Sequence, residues 1–433
     1  MPAISIRNKI VANASWMVGC RIAQALLGLV VGVIAARYLG PSNFGVINYA
    51  AAMVAFAVPI MQLGLNNIMV QELVNSPEKE GAILGTSILM NFVSAIACIV
   101  GILVTVYFLN AGEKVTIIVC GLYSTILIFQ AVEQIQYWFQ AKFLSKYIAL
   151  TSFFAYLVVS GYKIALLVMG MSVYWFAVAN AFDLALIAVT YLVLYRKLGS
   201  NRLSISLQIA KSMFAKSRYY IISNLMFVFL VQTDRIMIKN IMDDANVGFY
   251  SAAMTCAGML NFVYSAIIDS FRPVIFENKK KDEILYERNV SLLYGIIFYM
   301  TFLECFFMTL LAPFVIKLLY GDAFSASSVA LQIVVWYIMF AYIGYIRGIW
   351  ILAESKQKYL LLLNLICALG NVILNIFLIP VWGIAGAAAA TVFSQIFSTV
   401  ILGFIFKPLR QNNFLLFRGL NPFFLKEMYM MRN

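Results

Sequence analysis

The amino-acid sequence predicts an all-α polytopic membrane protein with about twelve transmembrane helices. The chain of 433 residues is 63% hydrophobic and 11% charged, with a mean hydropathy of +0.91. These values lie far outside the range of soluble globular domains. A helix needs about 20 mostly apolar residues to cross a bilayer, and the short loops leave no room for a sizeable soluble domain. The candidate spans are residues 11–36, 44–70, 83–109, 115–140, 147–170, 173–195, 219–242, 247–271, 289–312, 329–352, 359–379 and 384–406.

The distribution of positive charge predicts the orientation of these spans. An even number of spans places both termini on one side of the membrane. If that side is the cytoplasm, most of the 31 Lys and Arg residues lie there, as the positive-inside rule requires. Topology therefore explains the net charge of +13 without a nucleic-acid partner. Four basic residues fall on the opposite side and three inside spans: Arg37, Lys114, Lys239 and Lys317, and then Arg21, Lys163 and Arg235.

The longest polar interruption divides the spans into two sets of six. It covers residues 196–218 and holds six basic residues. We predict an N-terminal lobe at 1–200, a cytoplasmic basic linker at 201–218 and a C-terminal lobe at 219–408. The remaining residues, 409–433, form a cytoplasmic tail in which basic and aromatic residues alternate. This pattern fits either an amphipathic segment at the membrane interface or a frayed end.

A short internal similarity indicates that the two halves are related. Residues 39–45 after span one and residues 242–248 after span seven both end in glycine. Small and aromatic residues follow in each case. Because each half has an even number of spans, the repeats must have parallel topology. Such repeats are related by an axis along the membrane normal, with a substrate cavity between them, so we expect two lobes with pseudo-twofold symmetry.

Glycine and proline mark two sharp helix boundaries. Gly40-Pro41 ends one helix and starts the next, since proline favours the first turn of a helix. Asn371, Asn375 and Pro380 end span eleven, and Gly383 and Gly386 open span twelve. The Gly-Ala run that follows allows close helix approach. We interpret these residues as architecture rather than substrate contacts.

Four segments in this order carry a family resemblance: residues 36–45, 234–253, 319–324 and 371–388. Together they resemble the polysaccharide biosynthesis flippases that export O-antigen and capsule repeat units. That family shares a superfamily with the multidrug and toxin extrusion transporters and the lipid II flippase. The resemblance implies two six-helix lobes that form a V and work by alternating access.

The same resemblance implies the cargo and the partners. The expected cargo is an undecaprenyl-diphosphate-linked oligosaccharide, moved from the cytoplasmic to the periplasmic leaflet of the bacterial inner membrane. The expected partners are this lipid-linked oligosaccharide, membrane lipids, and the polymerase and chain-length proteins of the same pathway. No cofactor and no metal are expected, and no enzymatic reaction is needed for this activity.

The three basic residues inside spans are the candidate substrate-binding residues. A charge in the bilayer core costs at least about 2.5 kcal/mol on insertion scales, so Arg21, Lys163 and Arg235 are expected to line a polar interior. Guanidinium and ammonium groups there suit an anionic diphosphate. The structural alternatives stay open. For Arg21 the alternative is an ion pair with Asp183 on another helix. For Lys163 and Arg235 the alternative is that their side chains extend towards the outer interface.

Four acidic residues are candidates for ion coupling or for pairing with a neighbouring helix. They are Asp183, Glu133, Glu304 and Asp234. The chain contains no His, which excludes a His proton relay and a His metal site. The six cysteines lie in apolar spans without paired spacing and are interpreted as core residues. Asp234 and Arg235 are adjacent, so their side chains diverge by about 100° on a helix, and at least one of them needs another partner.

Two other functions compete with the flippase. A multidrug antiporter of the same superfamily is expected to line its cavity with acidic residues, and the basic residues here argue against it. A membrane polymerase or glycosyltransferase that acts on lipid-linked sugars needs a larger outer loop than this chain provides. No phosphate-cradling nucleotide loop is present in the sequence.

Overall fold

The computed structural model describes the backbone of residues 3–199 and 201–423. Side chains are described for residues 23, 24, 27–199, 201–226, 228, 229 and 231–423. These residues form helices and connecting turns without a β-strand, which confirms the predicted all-α fold. The chain divides into two compact units, Met1–Gln232 and Thr233–Asn433.

The first unit contains eight complete helices and most of a ninth. Its principal contacts join α1 to α4 and α7, α7 to α8, and α5 to α3 and α8. The helices are α1 (Ala3–Met61), α2 (Met69–Asn75), α3 (Glu80–Leu109), α4 (Lys114–Ser124), α5 (Ile126–Val132), α6 (Ile135–Ala141), α7 (Ser145–Val168), α8 (Val173–Leu198) and α9 (Leu207–Ile241).

The second unit contains the end of α9 and the remaining helices. Here α12 packs against α13 and the last helix, and α13 and α14 pack against α15. The helices are α10 (Asp244–Ala257), α11 (Asn261–Lys281), α12 (Glu283–Tyr320), α13 (Ser327–Ala353), α14 (Gln357–Trp382), α15 (Ile384–Ile396), α16 (Leu402–Ile405) and α17 (Arg410–Leu420), with a π-helical turn at Phe397–Ile401.

The predicted count of twelve spans differs from the count in the structure. Within the described residues, nine helices are long and apolar enough to cross a membrane, or ten if a bent pair within α9 is one span. Two of the nine contain a sharp break. Leu27–Met61 is kinked at Gly40, where φ is +72°, and Gln357–Ile405 turns at Gly383, where φ is +58°. The sequence-based count treats each of these as two spans.

Both breaks follow the predicted glycine chemistry. Gly40 and Gly383 adopt the positive φ that L side chains rarely adopt, and Pro41 continues the chain after the first break. Gly386 allows α15 to approach α14, because a Cβ there would lie 2.1 Å from the carbonyl oxygen of Leu378. The structure therefore places these glycines at helix breaks and close helix contacts, but α14 continues through Pro380 to Trp382, so the prediction that Pro380 ends span eleven is wrong.

Span four departs from the prediction of one helix. It consists of α4, α5 and α6, which are separated by short turns at Thr125 and at Glu133-Gln134. The Thr125 hydroxyl donates to the carbonyl oxygen of Leu122 at 2.6 Å, and such bonds to the preceding turn bend helices. At the second turn, the Glu133 N–H donates to the carbonyl oxygen of Gln130 at 3.2 Å. This is a tighter turn than an α-helix makes.

The predicted linker and tail are more ordered than expected. Residues 207–218 of the linker are the first turns of α9, and the compact units divide after Gln232 rather than within residues 201–218. The proposed domain limits remain predictions. Within the tail, residues 410–420 form the helix α17, which packs on α12, so this part of the tail is not frayed.

The buried Arg347 side chain connects the tail helix α17 to the rest of the second unit by hydrogen bonds. The guanidinium of Arg347, 3% exposed, donates to Asn412 Oδ1 at 3.2 Å and to Asn413 Oδ1 at 3.1 Å. It also donates to the carbonyl oxygen of Ser398 at 2.7 Å, within the π-helical turn. Neutral oxygens thus satisfy this buried cation, and two of them come from α17.

Candidate functional site

The charged residues inside the spans fall into separate clusters, one set in each unit. Lys163, Asp183 and Glu133 lie in the first unit, and Asp234, Arg235 and Glu304 lie in the second. The seventh candidate, Arg21, belongs to α1, but its side chain lies outside the described residues. Its predicted role and its pairing with Asp183 therefore stay predictions.

In the first unit, Lys163 bonds to an amide and lies near a carboxylate. Its Nζ donates to Asn180 Oδ1 at 3.0 Å, which joins α7 to α8. Asp183, one turn further along α8, attracts Lys163 electrostatically. The Oδ1 atom of Asp183 is buried and has no hydrogen-bond partner among the described residues. Lys163 is half-buried and does not simply extend into water, so the site combines a cation with an incompletely bonded carboxylate.

Glu133 adds a second carboxylate to this cluster. It lies at the break between α5 and α6, and its charge repels that of Asp183. The side-chain oxygens of Gln130 and Gln134, on either side of Glu133, are buried without a hydrogen-bond partner in the described part of the chain. Buried polar atoms of this kind usually bind water or a ligand. The broken helix therefore presents a polar site rather than a packed apolar surface.

In the second unit, Asp234 and Arg235 have different partners, as their adjacent positions predict. Arg235 Nε donates to Ser251 Oγ on α10 at 3.1 Å. Asp234 is 4% exposed and accepts from three donors. Its Oδ1 accepts from Asn375 Nδ2 at 2.7 Å, and its Oδ2 accepts from the hydroxyls of Tyr250 and Thr391. Asp234 therefore joins α9 to α10, α14 and α15.

The partners of Asp234 were missed by the sequence analysis, which treats Asn371 and Asn375 as helix-ending residues. Asn375 Nδ2 also donates to Asn371 Oδ1 at 3.0 Å, and Asn371 Nδ2 donates to Thr391 Oγ1 at 3.3 Å. The two asparagines are four residues apart and share one face of α14. Two amides at this spacing in an apolar helix are a signal for a buried polar partner, and that signal was available in the sequence.

Glu304 occupies a third polar position, between α11 and α12. Its Oε2 accepts from the hydroxyl of Tyr264 at 2.6 Å. Its Oε1 is buried and has no hydrogen-bond partner among the described residues. The side chain of Tyr264 also packs against that of Tyr342 on α13, with ring centroids 5.2 Å apart. Glu304 is thus paired through one oxygen only.

The described residues contain no group of three or more His, Cys, Asp or Glu side chains placed to hold a metal ion. The donors around the buried charges are instead hydroxyls and amides. Such groups orient and stabilise charge by hydrogen bonding without covalent chemistry. The arrangement is that of a membrane protein with charged sites inside both of its helical units.

Comparisons with solved structures identify the fold. The chain is similar to a lipid II flippase, MurJ, in an inward closed conformation, with 16% identity, coverage of 96% of this chain and 92% of that one, and a TM-score of 0.70. It is also similar to a multidrug resistance MATE family transporter of the MOP superfamily. The inward-facing form has 14% identity, coverage of 90% and 94%, and a TM-score of 0.64. An outward-facing form has 15% identity, coverage of 93% of this chain and 95% of that one, and a TM-score of 0.53.

At these identities the likeness shows a shared fold and not a shared substrate. No curated protein matches the sequence. A sequence model of the family described as "Polysaccharide biosynthesis protein" matches residues 10–279, which is more than half of the chain. This multi-pass membrane protein therefore belongs to the polysaccharide biosynthesis protein family.

Proposed function

We propose that this protein is a flippase for an undecaprenyl-diphosphate-linked oligosaccharide, an O-antigen or capsule repeat unit. It moves the headgroup from the cytoplasmic to the periplasmic leaflet of the bacterial inner membrane, with both termini in the cytoplasm. The match to the polysaccharide biosynthesis family over residues 10–279 carries the proposal. The fold shared with a lipid II flippase supports it.

The basic residues within the spans supply the chemistry that this cargo requires. A diphosphate that leaves water needs hydrogen-bond donors to replace the water molecules bound to it. Buried cations provide such donors through charge-assisted hydrogen bonds. Lys163 and Arg235 are both half-buried and bond to neutral side chains, Asn180 and Ser251. With Arg21, they are our proposed substrate-binding residues.

The acidic residues divide into two proposed roles. Asp234 accepts from three donors and acts as a structural anchor of the second unit. Asp183 and Glu304 each have one buried oxygen without a hydrogen-bond partner in the described residues. Glu133 lies at the break between α5 and α6 and interacts electrostatically with Asp183. We assign ion coupling to these three carboxylates. A proton or cation would complete the bonding of Asp183 and Glu304, and Glu133 is included because of its electrostatic interaction with Asp183.

The test is deletion of the gene in its host, followed by measurement of lipid-linked repeat units on each leaflet of the inner membrane. We expect the units to accumulate on the cytoplasmic leaflet. Complementation with Lys163→Ala and with Arg235→Ala is expected to leave export impaired at normal membrane levels. Lys114→Ala, an exposed lysine at the start of α4, is the matched control and is expected to restore export. Normal export in the deletion strain would refute the proposal.

The fold shared with MATE transporters makes a multidrug antiporter the second candidate. The same deletion strain separates the two functions. A drug exporter would leave repeat-unit export intact and increase sensitivity to cationic drugs. The flippase predicts the reverse pattern, with export blocked and drug sensitivity unchanged.

A further inference from the structure

The segment between the two lobes is held against the first unit by its backbone. Within residues 201–206, the Ser204 N–H donates to the carbonyl oxygen of Gly81 at 3.1 Å. Two residues on, the Ser206 N–H donates to Thr86 Oγ1 at 3.0 Å. The segment therefore runs along the first turns of α3 rather than extending freely into solvent.

Two glycines in α3 make this close approach possible. A Cβ on Gly81 would lie 2.2 Å from the carbonyl oxygen of Arg202, and a Cβ on Gly85 would lie 2.3 Å from that of Ser204. Both contacts are with backbone atoms, which cannot move aside as a flexible side chain does. The position of residues 202–206 is consequently fixed by the sequence of α3.

While its backbone is packed, the segment directs apolar side chains outward. Leu203 is 40% exposed, Ile205 is 67% exposed and Leu207 is 71% exposed. Ser204 and Ser206 lie between them, and Leu207 is the first residue of α9. Three large aliphatic side chains are therefore exposed on a segment whose backbone is packed against α3.

Neighbouring residues place this segment at the level of a membrane interface. The segment packs on residues 81–86, where the apolar span of α3 begins. At the same end of α3, the buried carboxylate of Glu80 accepts from Trp138 Nε1 at 3.1 Å and pairs with Lys142 Nζ at 3.0 Å. The next residue, Phe143, is 72% exposed. An exposed aromatic residue beside a lysine is typical of the interface between acyl chains and headgroups, whereas Trp138 itself is buried in the core of the first unit.

Exposed basic residues flank the apolar side chains. Arg196 and Lys197 end α8, Arg202 precedes Leu203, and Lys211 lies in the first turns of α9. None of these four forms an ion pair with the described residues of the chain. Each basic residue near an anionic bilayer surface contributes about 1 kcal/mol of attraction, and their charges are available for that purpose.

From this combination we infer that residues 203–207 form a lipid anchor on the first unit. Leu203, Ile205 and Leu207 insert at the boundary between headgroups and acyl chains, and the four basic residues bind anionic lipid headgroups. The partner is therefore an anionic lipid surface. The inference rests on the predicted cytoplasmic position of this segment and is independent of the transported cargo.

A nitroxide spin label at residue 205 tests the anchor. Ile205→Cys is labelled after replacement of the six native cysteines, and the full-length protein is reconstituted in bilayers with phosphatidylglycerol. Power saturation measures contact of the label with oxygen, which dissolves in lipid, and with a water-soluble nickel complex. Lys281→Cys, an exposed position 69% accessible on the cytoplasmic side of α11, is the control. We expect the ratio of oxygen to nickel contact to be several-fold higher at residue 205.

Each outcome decides the inference. Equal nickel contact at residues 205 and 281 would place the segment in water and overturn it. Shielding from both oxygen and nickel would indicate coverage by protein and would also overturn it. Substitution of Arg202 and Lys211 by Gln is expected to lower the ratio in phosphatidylglycerol bilayers and not in purely zwitterionic ones. An unchanged ratio would refute the role of anionic headgroups.

A second measurement avoids the cysteine replacements. Ile205→Trp is made in the otherwise unaltered chain, and its fluorescence is measured in bilayers whose lipids carry bromine near the upper part of the acyl chain. Additional quenching relative to the unsubstituted protein supports insertion. A spectrum that matches that of a water-exposed indole, without added quenching, refutes it.

Discussion

Removal of the Asp234 carboxylate is expected to destabilise the second unit through its polar network. In Asp234→Ala, three buried donors lose their acceptor: Asn375 Nδ2 and the hydroxyls of Tyr250 and Thr391. A typical hydrogen bond contributes about 1 kcal/mol net. Asn375 keeps its bond to Asn371, and the Thr391 hydroxyl keeps the carbonyl oxygen of Ala387 as an acceptor at 3.1 Å, so none of the cost of a fully unpaired donor is added for these two groups. We therefore expect a decrease of about 3 kcal/mol in the free energy of unfolding.

The assay is denaturant unfolding of the purified protein in mixed micelles, followed by tryptophan fluorescence. Asp234→Asn preserves the shape and one acceptor oxygen, so we expect a smaller loss of about 1 kcal/mol. Asp269→Ala is the matched control, because this exposed carboxylate accepts a single hydrogen bond from Tyr345 at 2.8 Å. Its substitution is expected to change stability by about 0.5 kcal/mol or less.

The coupling between partners gives a second check. In a double-mutant cycle of Asp234→Ala with Asn375→Ala, we expect an interaction energy of about 1 kcal/mol or more, since the two side chains share a buried bond. If Asp234→Ala is as stable as the wild-type protein within about 0.5 kcal/mol, the assignment of Asp234 as a structural anchor is wrong.

Three further predictions concern the Glu354–Lys279 pair, the tail and the first unit. Partial burial would raise the pKa of Glu354, but the hydrogen bond and charge of Lys279 hold that pKa below its ordinary value. The stability that this pair contributes is present at neutral pH and is lost as the pH falls through the lowered pKa. The melting temperature of Glu354→Gln should therefore depend less on pH, between 7 and about 3, than that of the unsubstituted protein. Gly419→Ala places a Cβ 2.1 Å from the carbonyl oxygen of Ser291 and should lower the stability of the α17 packing by about 1–3 kcal/mol. We expect faster proteolysis of α17, and an unchanged rate would contradict this prediction. Lys163→Arg should keep more export than Lys163→Ala because it retains the charge, and equal loss would point to packing instead.

The sequence predicts the scaffold well because hydrophobicity and glycine act locally. Apolar length determines where helices cross the bilayer, and Gly40 and Gly383 break them at the predicted positions. The breaks inside span four were not predicted. At Thr125 a side-chain hydroxyl bonds to the preceding turn, whereas the bond given for the turn at Glu133 is one between backbone groups, which has no signature in the sequence.

The partners of buried charges are harder to predict, because they come from distant parts of the chain. Adjacency predicts that Asp234 and Arg235 diverge, and the structure confirms it. It does not identify Thr391, which is 157 residues away from Asp234. For the same reason, the choice of Asn180 rather than Asp183 as the direct partner of Lys163 required the structure.

The buried guanidinium of Arg347 has a consequence for the order in which the protein is made. Its partner Asn412 follows 65 residues later in the chain, and ribosomes add about 5–20 residues per second. The synthesis of Arg347 therefore precedes that of Asn412, whose amide binds it, by about 3–13 s. Until then, a positive charge in α13 has no acceptor from α17. In a protein translated from a message truncated before codon 412, the Arg347 guanidinium would permanently lack its acceptors from α17. We expect membrane proteases to degrade such products.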